Sequence, residues 1–215
     1  MRLSEHHGLP YHWTCNEQMN QFPPFINLFN SRPRHEIEIV MARSKPETFD
    51  TGDFFLSAGQ TSHRAGYIEE GVIRMYHLNE KGEERTLGFA AEGEFVIDME
   101  GYRQRKPSLR NWTALTPVKM IVWEREDMKW IGEQLPGWNL LMNDLVQKVL
   151  YNRTIELFEM LEDDATTRYQ KFTQRYPHIL SRVPLRHVAN YLGIAPQSLS
   201  RIRQQLTNVD RKINK

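Results

Sequence analysis

The sequence predicts an α+β chain: an antiparallel β sandwich or barrel, then one long helix, then a small C-terminal unit containing a helix-turn-helix. Three observations carry this. Short β-rich runs separated by turn signals such as Thr51-Gly52, Glu70-Gly71 and Lys81-Gly82 recur every 7 to 12 residues between Glu47 and Trp123. A helical period replaces them after Pro136. The last quarter is basic and has the residue order of two helices crossing at a tight turn.

Composition bounds the possibilities. The chain has 215 residues, 40% hydrophobic and 26% charged, enough apolar material for a packed core. No apolar run reaches the roughly 18 residues needed to cross a membrane. Met1 to Pro10 lacks the apolar core and cleavage site of a signal peptide, so a cytoplasmic location is expected. Cys15 is the single cysteine, which excludes an internal disulfide and a cysteine-built zinc or iron–sulfur site within one chain. The net charge is +1, but its distribution is uneven. Residues 166–215 hold ten Lys and Arg against one acid, Asp210, a formal +9, and the rest carries −8. A basic module on an acidic body points to a polyanionic partner, with a solvated tail as the plain alternative.

Residues 1–20 read as a loose polar tail or a first short helix, and Phe22 to Arg43 as a helix broken near Pro33. The strands follow: Asp53–Leu56, Ala65–Ile68, Val72–Leu78, Arg85–Phe89, Glu94–Ile97, Trp112–Leu115 and Val118–Trp123. From Trp138 to about Glu162 apolar residues fall on two stripes of one helix. One runs through positions 138, 141/142, 145, 149 and 152, the other through 146, 150, 157 and 161. Such a helix must be buried on two sides, against its own barrel and against the same helix of a second chain, with Asn152 as a polar register position. A core helix inside a single domain is the alternative. Asp164 caps a helix over Ala165–Tyr176, which Pro177 ends. The implied domains are 1–136, 137–162 and 163–215.

Leu185 to Leu206 carries the helix-turn-helix. Ala189 permits close crossing, Gly193 suits the turn, and Val188, Leu192, Ile194, Leu199 and Ile202 supply the core. Pro196 suits the first turn of the second helix. That helix presents Gln197, Ser200 and Arg201 as candidate base readers, since Arg pairs with guanine and Gln with adenine. Arg186, Ser198, Arg203 and Gln204 are candidate phosphate contacts.

At these residues the chain resembles the Crp/Fnr family of bacterial regulators. The likeness covers Phe22 to Leu206. It rests on Phe49-Asp50-Thr51-Gly52-Asp53-Phe54-Phe55, on Gly66 to Arg74, on Leu87-Gly88-Phe89 leading to Glu92-Gly93-Glu94-Phe95, and above all on Leu192 to Ile202. The resemblance implies a β-roll sensor of the cyclic-nucleotide-binding, jelly-roll type, a dimerisation helix and a C-terminal DNA-binding domain. It further implies a homodimer on an inverted repeat in double-stranded DNA, with RNA polymerase as a further partner. Cyclic-nucleotide-binding members carry a Gly-Glu pair and, ten residues later, an Arg-(Ser/Thr)-Ala. Here Ile97-Asp98 and Ser108-Leu109-Arg110 stand there. A pocket at Asp98, Ser108 and Arg110 is the candidate ligand site, with Arg110 kept on the face of Ser108 by strand alternation. cAMP is not expected to bind, and the effector is unknown. His63 and His77 read as packed or exposed histidines rather than haem ligands, so no cofactor is expected. With nine residues after Leu206, the β-hairpin wing of many members is expected to be truncated or absent.

The competing reading is a cupin-like enzyme or ligand-binding barrel with a non-DNA-binding helical hairpin. A metal cupin needs clustered His and Glu ligands; His63 with Glu69 or Glu70 matches poorly, and no His-x-His occurs. No nucleophilic triad or catalytic carboxylate pair is legible, so neither metal nor catalytic residues are expected. A dimeric scaffold that has lost DNA binding is opposed by Arg201 and the +9 segment.

Overall fold

A computed structural model describes residues 33–213. The polar tail, Cys15 and the start of the helix expected from Phe22 lie outside the described residues. Pro33 stands at the N-terminus of α1 (Arg34–Ala42), where its fixed φ and missing N–H cost little. Eight strands follow: β1 (Lys45–Phe49), β2 (Phe54–Leu56), β3 (Arg64–Glu70), β4 (Ile73–Leu78), β5 (Glu84–Ala90), β6 (Phe95–Val96), β7 (Asn111–Ala114) and β8 (Val118–Glu124). They form two antiparallel four-stranded sheets, ordered β1-β8-β3-β6 and β2-β7-β4-β5. This is an antiparallel jelly roll.

Phe55, Ile68, Ile73, Val96, Trp112, Met120 and Val122 fill the space between the sheets. Gly66 matters there: a Cβ on it would run into the Met120 side chain, which would have to move. The seven expected strands correspond to β2–β8. The extra strand, β1, has a polar sequence interrupted by Pro46, which an edge strand tolerates. Two helices were also not expected, α2 (Met99–Gln104) and α3 (Arg125–Gln134). Ile131 of α3 is fully buried with Val40, Tyr67, Ile121, Trp123 and Trp138, and the Trp123 indole donates to the Val40 carbonyl at 2.9 Å.

The long helix α4 spans Trp138–Glu162. Its first turns match the expected stripe, since Trp138, Leu141 and Met142 pack on the roll. Its second half does not: Val149 is 54% exposed and Asn152 is exposed. The inward positions there are Arg153, Glu156, Glu159 and Met160. They face charged partners on α5 (Ala165–Arg175) and the backbone of β5, so the contact is ionic where an apolar stripe was expected. Leu140, Leu150, Tyr151, Leu157, Phe158 and Leu161 point outward, each more than half exposed.

Asp164 caps α5, its carboxylate accepting from the Thr167 N–H at 2.8 Å. After it come α6 (Leu185–Tyr191) and α7 (Pro196–Ile213). Beyond Leu206 the chain prolongs α7 as helix. These three helices share one core with the roll: Tyr169, Phe172, Val188, Tyr191, Leu192, Leu199 and Ile202 pack with Val72 and with Phe89 of β5.

Candidate nucleic-acid interface

The turn between α6 and α7 is built on Gly193, at φ +68°, where a side chain would be strained. The Ile194 N–H donates to the Ala189 carbonyl at 3.0 Å and closes it. Ala189, Val188 and Leu199 are fully buried and Ile202 nearly so; Ile194 is partly buried against them. The opposite stripe of α7 is thereby turned to solvent. Gln197, Ser200, Arg201 and Gln204 recur at helical spacing on one exposed face. Half-buried Ser198 and exposed Arg203 flank it on either side. Gln204, expected with the phosphate contacts, shares the stripe of the candidate base readers.

The structure divides the basic residues of this unit into two groups. Arg168 donates to the last carbonyls of α4, Met160 at 3.1 Å and Asp163 at 3.3 Å. Lys171 pairs with Asp163 at 2.7 Å, and Arg175 holds both oxygens of Glu159 at 3.0 and 2.9 Å. Arg182 forks onto Glu92 at 2.9 and 2.7 Å. Burial alone would raise the Glu92 carboxyl, but the Arg182 fork and the Gly71 N–H hold it down to about 2. These four cations are structural. Arg186, Arg201 and Arg203 are exposed and have no ion pair among the described residues. The +9 segment is therefore less free charge than its composition suggests, and among the described side chains what is free lies on α6 and α7.

The structure brings the three candidate ligand residues together, bonded to one another. Asp98 and Ser108 are buried. The Arg110 guanidinium donates to the Asp98 carboxylate at 3.1 Å. The Ser108 hydroxyl donates to the Arg110 carbonyl and accepts from its N–H, both at 3.0 Å. This local turn competes with strand pairing, so Ser108 to Arg110 lie in the loop before β7, not in a strand as expected. Gly101 packs close against this carboxylate: a Cβ on it would sit 2.8 Å from Asp98 Oδ2. An open depression of about 360 Å³ lies elsewhere, lined by Thr61, His63, Arg105, Glu124, Arg125 and Glu126. His63 in it is exposed and 3.7 Å from Glu124. Among the described residues no group of three or more His, Cys, Asp or Glu is placed to hold a metal ion. No helix among them is long and apolar enough to cross a membrane.

Sequence reasoning missed the groups at the junction of roll and helices. Arg74 is buried in β4, donating to Thr86 Oγ1 at 2.8 Å and Glu84 at 2.6 Å and lying 4.4 Å over the Tyr76 ring. His187 of α6 faces it. Burial first, then the positive charges of Arg74 and Arg186, push the His187 imidazole down to about 4. Asn190 bonds the backbone of β5. No sequence signal distinguishes such residues: Asn190 and His187 meet elements about a hundred residues away, and Arg74 bonds diagonally across to β5.

Residues 46–134 match the family described as the cyclic nucleotide-binding domain. No curated protein sequence matches the chain. Among solved structures it is similar to CLP of Xanthomonas campestris, described as a c-di-GMP-responsive global regulator, at a TM-score of 0.65 and 16% identity, over 83% of this chain and 93% of that one. It is similar to FixK2 of Bradyrhizobium japonicum at 0.66 and 12%, over 78% and 86%. The catabolite activator protein of Thermus thermophilus aligns at 0.53 and 17%, over 85% and 87%. At these identities the likeness is one of fold.

Proposed function

We propose that this chain, whose residues 46–134 match the cyclic nucleotide-binding domain family and whose fold is similar to that of CLP and FixK2, is a dimeric transcription regulator of the Crp/Fnr type that binds double-stranded DNA through α6 and α7. The carrying observation is the division of the basic residues. Arg168, Lys171, Arg175 and Arg182 are tied into the fold, whereas among the described residues Arg186 of α6 and Arg201 and Arg203 of α7 are exposed and without an ion pair.

On this reading α6–turn–α7 is a helix-turn-helix. The second helix enters the major groove, with Gln197, Ser200 and Arg201 at base edges and Gln204 beside them. Arg186, Ser198 and Arg203 meet phosphates and fix the register. The outward apolar face of α4 joins two copies, each large side chain contributing about 1.5–3 kcal/mol when covered. A two-fold dimer then places two recognition helices in successive major grooves about 34 Å apart and selects an inverted repeat. The proposed domain division is 1–136 for a sensor-type unit, the roll with an N-terminal helical segment, 137–162 for the dimerisation helix and 163–215 for the DNA-binding unit. RNA polymerase is the further partner and the cytoplasm the location. The Asp98–Arg110 pair supports a regulator unresponsive to cAMP, because the cation that would meet a phosphate is already satisfied. The enzyme reading gains no support from His63, which is exposed and beside a single carboxylate.

The test is DNA binding by fluorescence anisotropy across a salt series. The wild type is expected to bind duplex DNA with an affinity falling steeply with salt, and Arg186→Ala/Arg201→Ala/Arg203→Ala combined to lose at least about 100-fold. Binding by the triple variant equal to wild type would remove α6 and α7 from the interface. In the same preparation cAMP should give no saturable heat by calorimetry.

A further inference from the structure

The sheet β2-β7-β4-β5 ends at β5, whose outer edge carries backbone groups that no strand among the described residues pairs. Asn190 of α6 meets that edge. Its Oδ1 accepts from the Thr86 N–H at 2.6 Å, and its Nδ2 donates to the Glu84 carbonyl at 2.9 Å. One residue of a neighbouring parallel strand would bond the same two positions, accepting from one N–H and donating to the carbonyl two residues before it. Other contacts surround the junction. Arg182 forks onto Glu92, and Phe89 of β5 stands edge-on to Phe172 at 5.9 Å and to Tyr191 at 5.6 Å. Glu156 of α4, 6% exposed, accepts from Arg153 at 2.6 Å and from the Tyr176 hydroxyl at 2.8 Å. Arg153 lies over Gly88, where a Cβ would come within 2.6 Å of the guanidinium. Roll, long helix and C-terminal unit thus meet at one place.

We propose that Asn190 is a positioning residue that latches the C-terminal unit to the edge of β5 and so sets the spacing of the two recognition helices in the dimer, with no effector required. The proposal rests on the DNA-binding reading. The apolar contacts beneath α6 are non-directional and would tolerate sliding along the strand. The two Asn190 hydrogen bonds are directional and select one register. In a dimer joined through α4, the path from the two-fold axis to α7 runs through α4, β5 and α6, so that register sets the distance between the helices. The latched arrangement leaves the stripe Gln197, Ser200, Arg201 and Gln204 in solvent, so it is compatible with DNA binding.

The experiment compares wild type with Asn190→Ala, and with Glu92→Gln, which loosens the same junction from the roll side. Hydrogen exchange of the Thr86 amide reads the latch itself. Affinities are measured for the selected inverted repeat, for the same half-sites moved one base pair apart or together, and for unrelated duplex. Wild type should lose at least about 30-fold on either spacing change, a displacement of ~3.4 Å per base pair. Asn190→Ala should bind the correct site roughly tenfold more weakly, with two hydrogen bonds gone, tolerate either spacing change within about threefold, and bind unrelated duplex as wild type does. Glu92→Gln should move the same way by less. A merely structural role would lower thermal stability and leave the spacing penalty unchanged, and that result overturns the proposal. So does tighter binding by the variants, which would make the latch inhibitory. A wild type without sequence-specific binding would refute the DNA-binding reading. The latch is then still judged by exchange: equal Thr86 rates in wild type and Asn190→Ala refute it.

Discussion

Single residues divide here by whether their partners are local. Asp164 and Gly193 act on their own backbone, as cap and as turn, and both roles were legible in the sequence. Asn190 and His187 act on β5 and β4 from far along the chain, Arg74 is buried through bonds across to β5, and their roles were not. Ser108 and Arg110 misled for a local reason: the serine hydroxyl bonds the backbone of Arg110 and takes it out of the strand. Two predictions belong at this scale. Arg201→Ala should cost roughly 1–3 kcal/mol on a selected site and relax preference at one base pair, whereas Arg203→Ala should weaken all sequences and lower the salt slope by about one. Competition binding against single-base variants of the site checks this, and an Arg201→Ala protein with unchanged preference would take Arg201 out of base reading. The second concerns His187. Its imidazole is held at about 4 against an ordinary 6.5, so the unfolded chain takes up the proton first. Its contribution is complete above pH 6.5 and is lost as pH falls towards 4. His187→Gln should therefore narrow the stability difference between pH 7 and pH 5 by about 1–2 kcal/mol, read from urea midpoints. An unchanged difference contradicts the assigned burial.

At the scale of elements, strands with regular turns and helices with strong caps were the legible part. The seven expected strands fall on β2–β8, because Gly-centred turns punctuate them. The edge strand β1 escaped because its register comes from β8, not from an apolar alternation of its own. The helix α3 escaped because its buried face rests largely on Ile131, with Met128 and Trp130 partly buried beside it. For α4 the length was legible but the inner face of its second half was not. Glu156 and Glu159 look like surface residues in sequence, and the arginines that draw them inward belong to α4 itself and α5. The outward stripe of Leu150, Tyr151, Leu157, Phe158 and Leu161 leads to a prediction. Leu150→Asp or Phe158→Asp, both exposed in one copy, should leave the fold intact and raise the dimer dissociation constant at least about 100-fold. Light scattering at micromolar concentration reads this, and an unaltered dimer would move the interface off α4.

For the whole molecule, the sequence showed a basic end on an acidic body, and the structure shows how the two are joined. Arg182 to Glu92, Arg175 to Glu159 and Lys171 to Asp163 connect them, so much of the asymmetry is internal adhesion. Among the described side chains of the basic end, the cations left outward and unpaired are on α6 and α7. The roll and the order of elements were legible because they are repetitive; the packing of the C-terminal unit on β5 was not, because it depends on pairs a hundred residues apart such as Thr86 and Asn190. The central claim is that two copies of this chain present α7 to DNA about a two-fold axis. Selection of binding sequences from a random duplex pool by the full-length protein tests it most directly. The account predicts an inverted repeat with half-site centres about 10 base pairs apart, enriched by wild type. Enriched sites lacking dyad symmetry, or no enrichment over the starting pool, would contradict it.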